Sequence, residues 1–191
     1  MIGVTDLRAG TTFEEEGQAF MVMSYEHIKM GRGSANIKVK VRNVMTGTII
    51  EKSYINGAKV KPIELMKKEM QFLYKDEEFV HFMDQQTYEQ ISIPLKLVPE
   101  HPYLKEGENF TVSFLAGEAI SLQLPPKMVF RVVETAPGAK GNSATNVFKE
   151  AILENGIKTK VPLFINIDEF IRVDTRTGAY SEKAQAPQQA G

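Results

Sequence analysis

Every apolar run in this sequence is short, rich in β-branched or aromatic residues, and closed by turn residues. That punctuation limits the fold before any other feature does. The runs are Ala19–Tyr25, Asn36–Asn43, Thr48–Tyr54, Gln71–Tyr74, Phe79–Met83, Tyr88–Ile93, Phe110–Leu115, Ile120–Leu124, Met128–Glu134, Ala151–Leu153, Thr159–Ile165 and Phe170–Val173. Among the turn signals are Thr46-Gly47, Asn56-Gly57, Ala116-Gly117-Glu118 and Asn155-Gly156. Strands of this length and spacing predict small barrels or sandwiches rather than a parallel sheet with crossover helices. In one window, Pro62 to Gln71, the residues Ile63, Met66 and Met70 fall at helical spacing, but so short a window does not hold a helix by itself. The sequence shows no repeat.

The chain has 191 residues, enough for two or three compact domains. Boundaries are expected near residue 64 and at Pro125-Pro126-Lys127. From Ala184 onward the chain lacks aliphatic anchors beyond alanine, and a disordered tail is expected over 186–191. Charge is uneven: residues 1–64 carry nine basic and seven acidic side chains, 65–128 six and ten, and 129–191 eight and seven. Bulk charge therefore does not announce a nucleic-acid binder. No cysteine is present, which excludes disulfides, thiolate metal sites and cysteine nucleophiles. The apolar runs are too short to span a membrane, and the start of the chain lacks the pattern of a signal peptide, so the cytoplasm is the expected compartment.

The segment Met30-Gly31-Arg32-Gly33-Ser34 sets one arginine between two glycines, between two strand-like runs. In the following run Ile37, Val39 and Val41 alternate with Lys38, Lys40 and Arg42. Successive side chains of a strand point to opposite faces, so three aliphatics are expected inside and three cations in solvent. No acidic residue lies between Glu26 and Glu51 to neutralise them. Glycine frees the backbone and clears bulk, while arginine brings a permanent charge and five donors suited to phosphates and bases. The pattern points to RNA. The competing reading is a flexible surface hairpin with an incidental arginine.

Catalytic chemistry finds no support. His27, His81 and His101 show no metal-ligand spacing. His81 reads as a structural strand histidine. The acidic clusters Glu14-Glu15-Glu16 and Asp76-Glu77-Glu78 read as solvated turns. No nucleophile elbow or phosphate-cradling loop occurs. The expectation is a protein that is not an enzyme and holds no metal and no cofactor.

Several segments together resemble bacterial translation elongation factor P over essentially the whole folded length. They are Val4-Thr-Asp-Leu-Arg-Ala-Gly10, Met30-Gly-Arg-Gly-Ser-Ala35, Val41-Arg-Asn-Val-Met-Thr-Gly47, Phe72-Leu-Tyr74, Phe82-Met-Asp84, Thr87-Tyr-Glu-Gln90 and Val133-Glu-Thr-Ala-Pro-Gly138. Lys149, Gly156, Val161-Pro162 and Val173-Asp-Thr-Arg-Thr-Gly178 complete the match. The resemblance implies an all-β chain of three small β-barrel domains in an elongated arrangement. These are an SH3-like domain over 1–64 carrying the tip loop, then OB-folds over 65–127 and 128–185. The helix-like window then becomes linker and first strand of the middle domain.

The implied function is to bind the ribosome between its P and E sites and to stimulate peptide-bond formation at consecutive prolines by positioning the P-site tRNA. Implied partners are both ribosomal subunits and P-site peptidyl-tRNA, with no membrane, for a monomeric protein. Arg32 would be the tip residue toward the CCA end, on a backbone of Gly31, Gly33 and Ser34. Lys29, Lys38, Lys40 and Arg42 would face RNA, as would Arg176 and Tyr180 in the last domain. Ser143, Ala144 and Thr145 would form a codon-side loop. The alternative is a generic OB-type RNA-binding or RNA-chaperone protein. Such proteins display stacking aromatics on a strand face, and no basic–aromatic cluster is evident in the sequence.

Three departures from the family pattern stand out. Many members carry a modified lysine where this chain has Arg32, and Lys29 is too far down the hairpin to substitute. A subset of arginine-bearing members is rhamnosylated, whereas Gly31 and Gly33 resemble members that work unmodified, so both outcomes stand open. Gly141-Asn-Ser-Ala-Thr-Asn146 replaces a Gly-Asp-Thr start. Asp168 stands where glycine is usual, and aspartate tolerates the left-handed region well enough to keep a turn there.

Overall fold

The computed structural model describes residues 1–28, 35–138 and 147–188. These residues form three β-sheets, and helical elements among them are limited to three short 3-10 turns. The all-β expectation holds. Compact packing divides the chain into two units. One is Met1–Val98 with Thr111–Leu122; the other is Pro99–Phe110 with the described chain from Gln123 onward.

The first sheet comprises β1 (Ile2–Gly3), β2 (Thr12–Glu15), β3 (Gln18–Ile28), β4 (Asn36–Asn43), β5 (Ile49–Ile55) and β6 (Lys59–Pro62), ordered β1-β6-β2-β3-β4-β5. The alternation in β4 works as expected on its apolar side: Ile37, Val39 and Val41 are fully buried with Val4, Leu7, Phe13 and Val60. Phe13 and Phe20 face each other across β2 and β3 with ring centroids 5.9 Å apart. The β3–β4 ladder slips by one residue between Val22 and Ser24. This bulge brings Tyr25, not Ser24, opposite Val39, and so packs an aromatic ring on the core. The β4–β5 turn is built on Asn43, whose Oδ1 accepts from the amides of Met45 and Thr46 at 3.0 Å each. Gly47 there has φ +77°, and a Cβ on it would lie 3.2 Å from the Lys96 carbonyl oxygen. Only glycine suits both constraints.

The second sheet comprises β7 (Met66–Lys75), β8 (Phe79–Met83), β9 (Gln90–Pro94), β10 (Asn109–Leu115) and β11 (Glu118–Gln123), ordered β11-β10-β7-β8-β9. The window with helical spacing is therefore the end of β6, a connection and the start of β7, as the family resemblance implied. Its helical spacing is fortuitous: Met70 is buried in strand alternation with Phe72, while Met66 is exposed.

The third sheet comprises β12 (Lys127–Thr135), β13 (Phe148–Leu153), β14 (Lys158–Pro162), β15 (Phe170–Asp174) and β16 (Tyr180–Ala184), ordered β14-β13-β12-β15-β16. Numbered within each sheet, the second and third sheets share one strand order, 3-2-1-4-5. The repeat that the sequence does not show is thus present in topology. In the third sheet the edge strands β14 and β16 also approach each other, as in a five-stranded, partly open Greek-key barrel. Its core includes Phe130, Val132, Leu153, Val161, Ile165, Ile171 and Val173. Asp168 adopts φ +68°, the left-handed turn expected of it, and its carboxylate accepts from Arg131 Nη1 at 3.1 Å. The expected tail falls partly on 189–191, outside the described residues.

Candidate nucleic-acid interface

β3 and β4 are paired up to Ile28 and Asn36 and are joined by residues 29–35. The expectations for Lys29, Gly31, Arg32, Gly33 and Ser34 fall on that connection, outside the described residues. The same holds for Ser143, Ala144 and Thr145.

The outer face of β4 departs from the expected row of three free cations. Lys40 is exposed, with no ion pair among the described residues. Lys38 is half-exposed and paired with Glu51 at 3.1 Å. The absence of acids between Glu26 and Glu51 in sequence does not isolate the patch, because both flanking strands return acids to it. Glu26 lies opposite Lys38, and Glu51 opposite Lys40. Arg42 overturns its expectation: it is only 3% exposed, and its Nε and Nη1 have no hydrogen-bond partner among the described residues. The register sets it between Met21 and Ile49. It stands at the end of β4 that runs into the turn where Gly47 lies against Lys96 and Leu97. Alternation assigns a face; it does not say whether another part of the chain covers that face.

The first acidic cluster also needs correction. Glu14 and Glu15 belong to β2, and only Glu16, at φ +53°, occupies the turn. The Glu15 carboxylate accepts from Tyr54 Oη at 3.1 Å and pairs with the Lys52 ammonium, which sits 4.4 Å from the Phe20 ring centroid. Burial, with Glu15 beside it, pushes the Tyr54 hydroxyl well above the usual phenol range. This clasp ties β5 to β2, strands that are not neighbours in the sheet.

His81 is a structural strand histidine, as expected. Its Nε2 donates to Asp76 Oδ2 at 2.7 Å, its Nδ1 takes the Ser92 hydroxyl at 2.8 Å, and its ring stacks on Tyr74 at 4.4 Å. The connectivity resembles a catalytic triad. However, Ser92 stands in the middle of a regular strand, where no sharp turn gathers backbone N–H groups around its oxygen as a nucleophile elbow does. Hydrogen bonds from His81 and from the amides of Glu78 and Phe79 hold the Asp76 carboxyl at about 2. A depressed carboxyl stabilises the fold above its unfolded pKa and loses that contribution as pH falls through the folded value. The Asp76 carboxyl carbon is therefore expected to titrate near pH 2 by NMR, and His81→Ala should raise the midpoint. An unmoved midpoint would reject the histidine as the main cause. No group of histidine, aspartate and glutamate suited to a metal ion occurs among the described residues.

The third sheet brings together residues that the sequence keeps apart. Phe148, Glu150, Lys158, Thr159, Lys160 and Tyr180 line an open cleft of about 550 Å³ together with Thr177, Gly178 and Ala179. Tyr180 belongs to this cleft; Arg176 does not line it. The Arg176 guanidinium instead grips Asp174 through Nε at 3.2 Å and Nη2 at 2.9 Å, which holds that carboxyl at about 2. The expectation that the chain lacks a basic–aromatic cluster is thus corrected. The one signal for it in sequence is the spacing of Lys158 and Lys160, two residues apart and therefore on one strand face.

Comparison with known families follows this geometry closely. Three family models match in succession: the KOW-like domain of elongation factor P at residues 3–60, its OB domain at 65–122 and its C-terminal domain at 128–183. Elongation factor P of Clostridium acetobutylicum is 46% identical over 186 residues, covering 97% of this chain and all of that protein. That of Clostridium kluyveri is 45% identical over 184 residues, covering 96% and 100%. A solved structure of eukaryotic translation initiation factor 5A from Methanococcus jannaschii aligns with TM-score 0.41 and 22% identity, over 63% of this chain and 94% of that one.

Proposed function

The chain belongs to the elongation factor P family, a family of translation elongation factors, and from that premise we propose that it binds the ribosome between the P and E sites and speeds peptide-bond formation at consecutive prolines. The observation that supports this most is the unbroken order of three family domains, with relatives matched along their full length.

In this reading the chain does no bond chemistry itself. Proline is a constrained secondary amine that aligns poorly with the peptidyl ester. A factor that holds the CCA end of the P-site tRNA in a reactive geometry lowers the entropic part of the barrier, while the reaction stays the ribosome's own. Arg32 is the tip group, bare or rhamnosylated. Lys40, exposed and free of an ion pair among the described residues, is the β4 cation best placed to meet RNA phosphate. The protein acts in the cytoplasm as a monomer. Among the described residues no helix is long and apolar enough to cross a membrane.

The test is translation in vitro of a template encoding consecutive prolines. Added protein should relieve the stall. A stall unchanged even by protein carrying its authentic modification ends the proposal. Lys40→Ala should weaken ribosome binding and lower the slope of log affinity against log salt by about one, the signature of one lost phosphate contact. A slope that stays the same assigns Lys40 no phosphate.

A further inference from the structure

Asparagine is followed by glycine twice in this chain, at Asn56-Gly57 and Asn155-Gly156. Both pairs form turns, the first between β5 and β6 and the second between β13 and β14. Sequence treats the two alike; the structure separates them. We propose that Asn56 is a self-modifying site, converted by the Gly57 amide to aspartate and isoaspartate, while Asn155 is protected, and that the conversion weakens ribosome binding. The modification goes beyond the role at proline stalls; only its effect on ribosome binding rests on that reading.

In the reaction the backbone nitrogen of Gly57 gives up its proton and attacks Cγ of Asn56. The new nitrogen–carbon bond closes a succinimide ring, and the side-chain nitrogen leaves with that proton as ammonia. Water then opens the ring at either carbonyl. One opening leaves aspartate. The other leaves isoaspartate, in which the main chain runs through the former side chain. Solvent water is the co-reactant.

Asn56 meets each requirement of the attack. It is exposed, and its side-chain amide has no hydrogen-bond partner among the described residues. The Gly57 N–H has none there either, so its nitrogen is free to turn toward Cγ. A Cβ built on Gly57 would meet nothing within 4 Å, so nothing crowds the ring as it closes. The turn is spanned by a single bond, from the Ala58 N–H to the Ile55 carbonyl at 3.0 Å. At Asn155 the corresponding atoms are engaged. The Gly156 N–H donates to the Leu153 carbonyl at 2.8 Å, and Asn155 Oδ1 accepts from the Ile157 amide at 3.3 Å. The Leu153 N–H donates to the Ile157 carbonyl at 2.9 Å, and Asn155 Nδ2 is buried. Each bond that must be given up before the nitrogen can attack slows the reaction there.

The position of Asn56 gives the change a consequence. Its N–H donates to the Ala35 carbonyl at 3.1 Å, and Ile55 pairs with Asn36, so the turn is tied to the chain that follows the Arg32 segment. Aspartate sets a negative charge beside that basic hairpin, where it repels phosphate. Isoaspartate carries the same charge and lengthens the main chain by one carbon.

The full chain is warmed at mildly alkaline pH and sampled over days. Peptide mapping by mass spectrometry, with fragmentation that separates the isomers, follows the gain of mass as NH2 becomes OH at each asparagine. Asn56 should convert about tenfold faster than Asn155, the scale of one intact hydrogen bond. Ribosome binding is measured in parallel for the parent, Asn56→Asp and Asn56→Gln, each fresh and aged. Glutamine keeps a neutral amide and closes a larger ring more slowly. The aged parent and fresh Asn56→Asp should bind about two- to fivefold more weakly at low salt, a difference that fades as salt screens it. Aged Asn56→Gln should bind as it does when fresh. Equal conversion at the two asparagines, or none at Asn56, overturns the inference, as does undiminished binding by Asn56→Asp. A fresh parent that binds no ribosome refutes the proposed function and the effect on binding with it, while the mapping still decides the chemistry at Asn56.

Discussion

Replacing Arg32 with alanine is expected to abolish most relief of consecutive-proline stalls, by about 10²-fold in rate, the scale of a reacting group displaced by about 1 Å. Ribosome binding should survive, because the rest of the chain keeps its cations. Lysine at this position keeps the charge but loses the planar fork that pairs with phosphate in two places, so Arg32→Lys should recover only part of the activity. The modification question enters the same experiment. Intact-mass measurement of the native protein shows either one added deoxyhexose on Arg32 or none. If the bare recombinant chain already relieves the stall, the guanidinium alone suffices. Should Arg32→Ala relieve stalls as well as the parent, the tip carries no function.

The β4 strand shows what sequence could and could not tell. Its period of two placed Ile37, Val39 and Val41 in the core correctly. It failed at Arg42, which is only 3% exposed although the alternation sets it on the outer face, because a period of two does not say what else packs on that face. Glu15 misled for a related reason. A run of three glutamates looks solvated, yet the middle one lies in a strand and meets Lys52 and Tyr54 from another. Asp168 was legible because its left-handed turn is a local property of the backbone. The cleft was not, since Phe148, Lys158, Lys160 and Tyr180 come from three strands and converge only when the barrel closes. Local pattern carried the strands, and long-range register carried the site.

Phe130→Ala is expected to be the most damaging substitution in the second unit. The ring is fully buried, with the Lys105 ammonium 4.5 Å from its centroid and Tyr103 packed edge-on at 5.9 Å. Lys105 is fixed in turn by the Val129 carbonyl and by Glu154 at 3.1 Å. Truncation removes the ring's transfer energy, opens a cavity and strips the half-buried ammonium of its aromatic partner. Such losses run to about 3–5 kcal/mol. At roughly 4–8 °C per kcal/mol for a unit of this size, melting should fall by more than about 12 °C. Phe82→Ala, equally buried against Phe72 in the other unit, should leave the melting of this one in place. Phe130→Leu separates the causes: it retains most of the volume and gives up the cation–π contact, worth on the order of 1 kcal/mol when partly desolvated. A loss for Phe130→Leu close to that for alanine would show that Lys105 and the ring, rather than the filled volume, hold the segment from Pro99 to Phe110 against the third sheet.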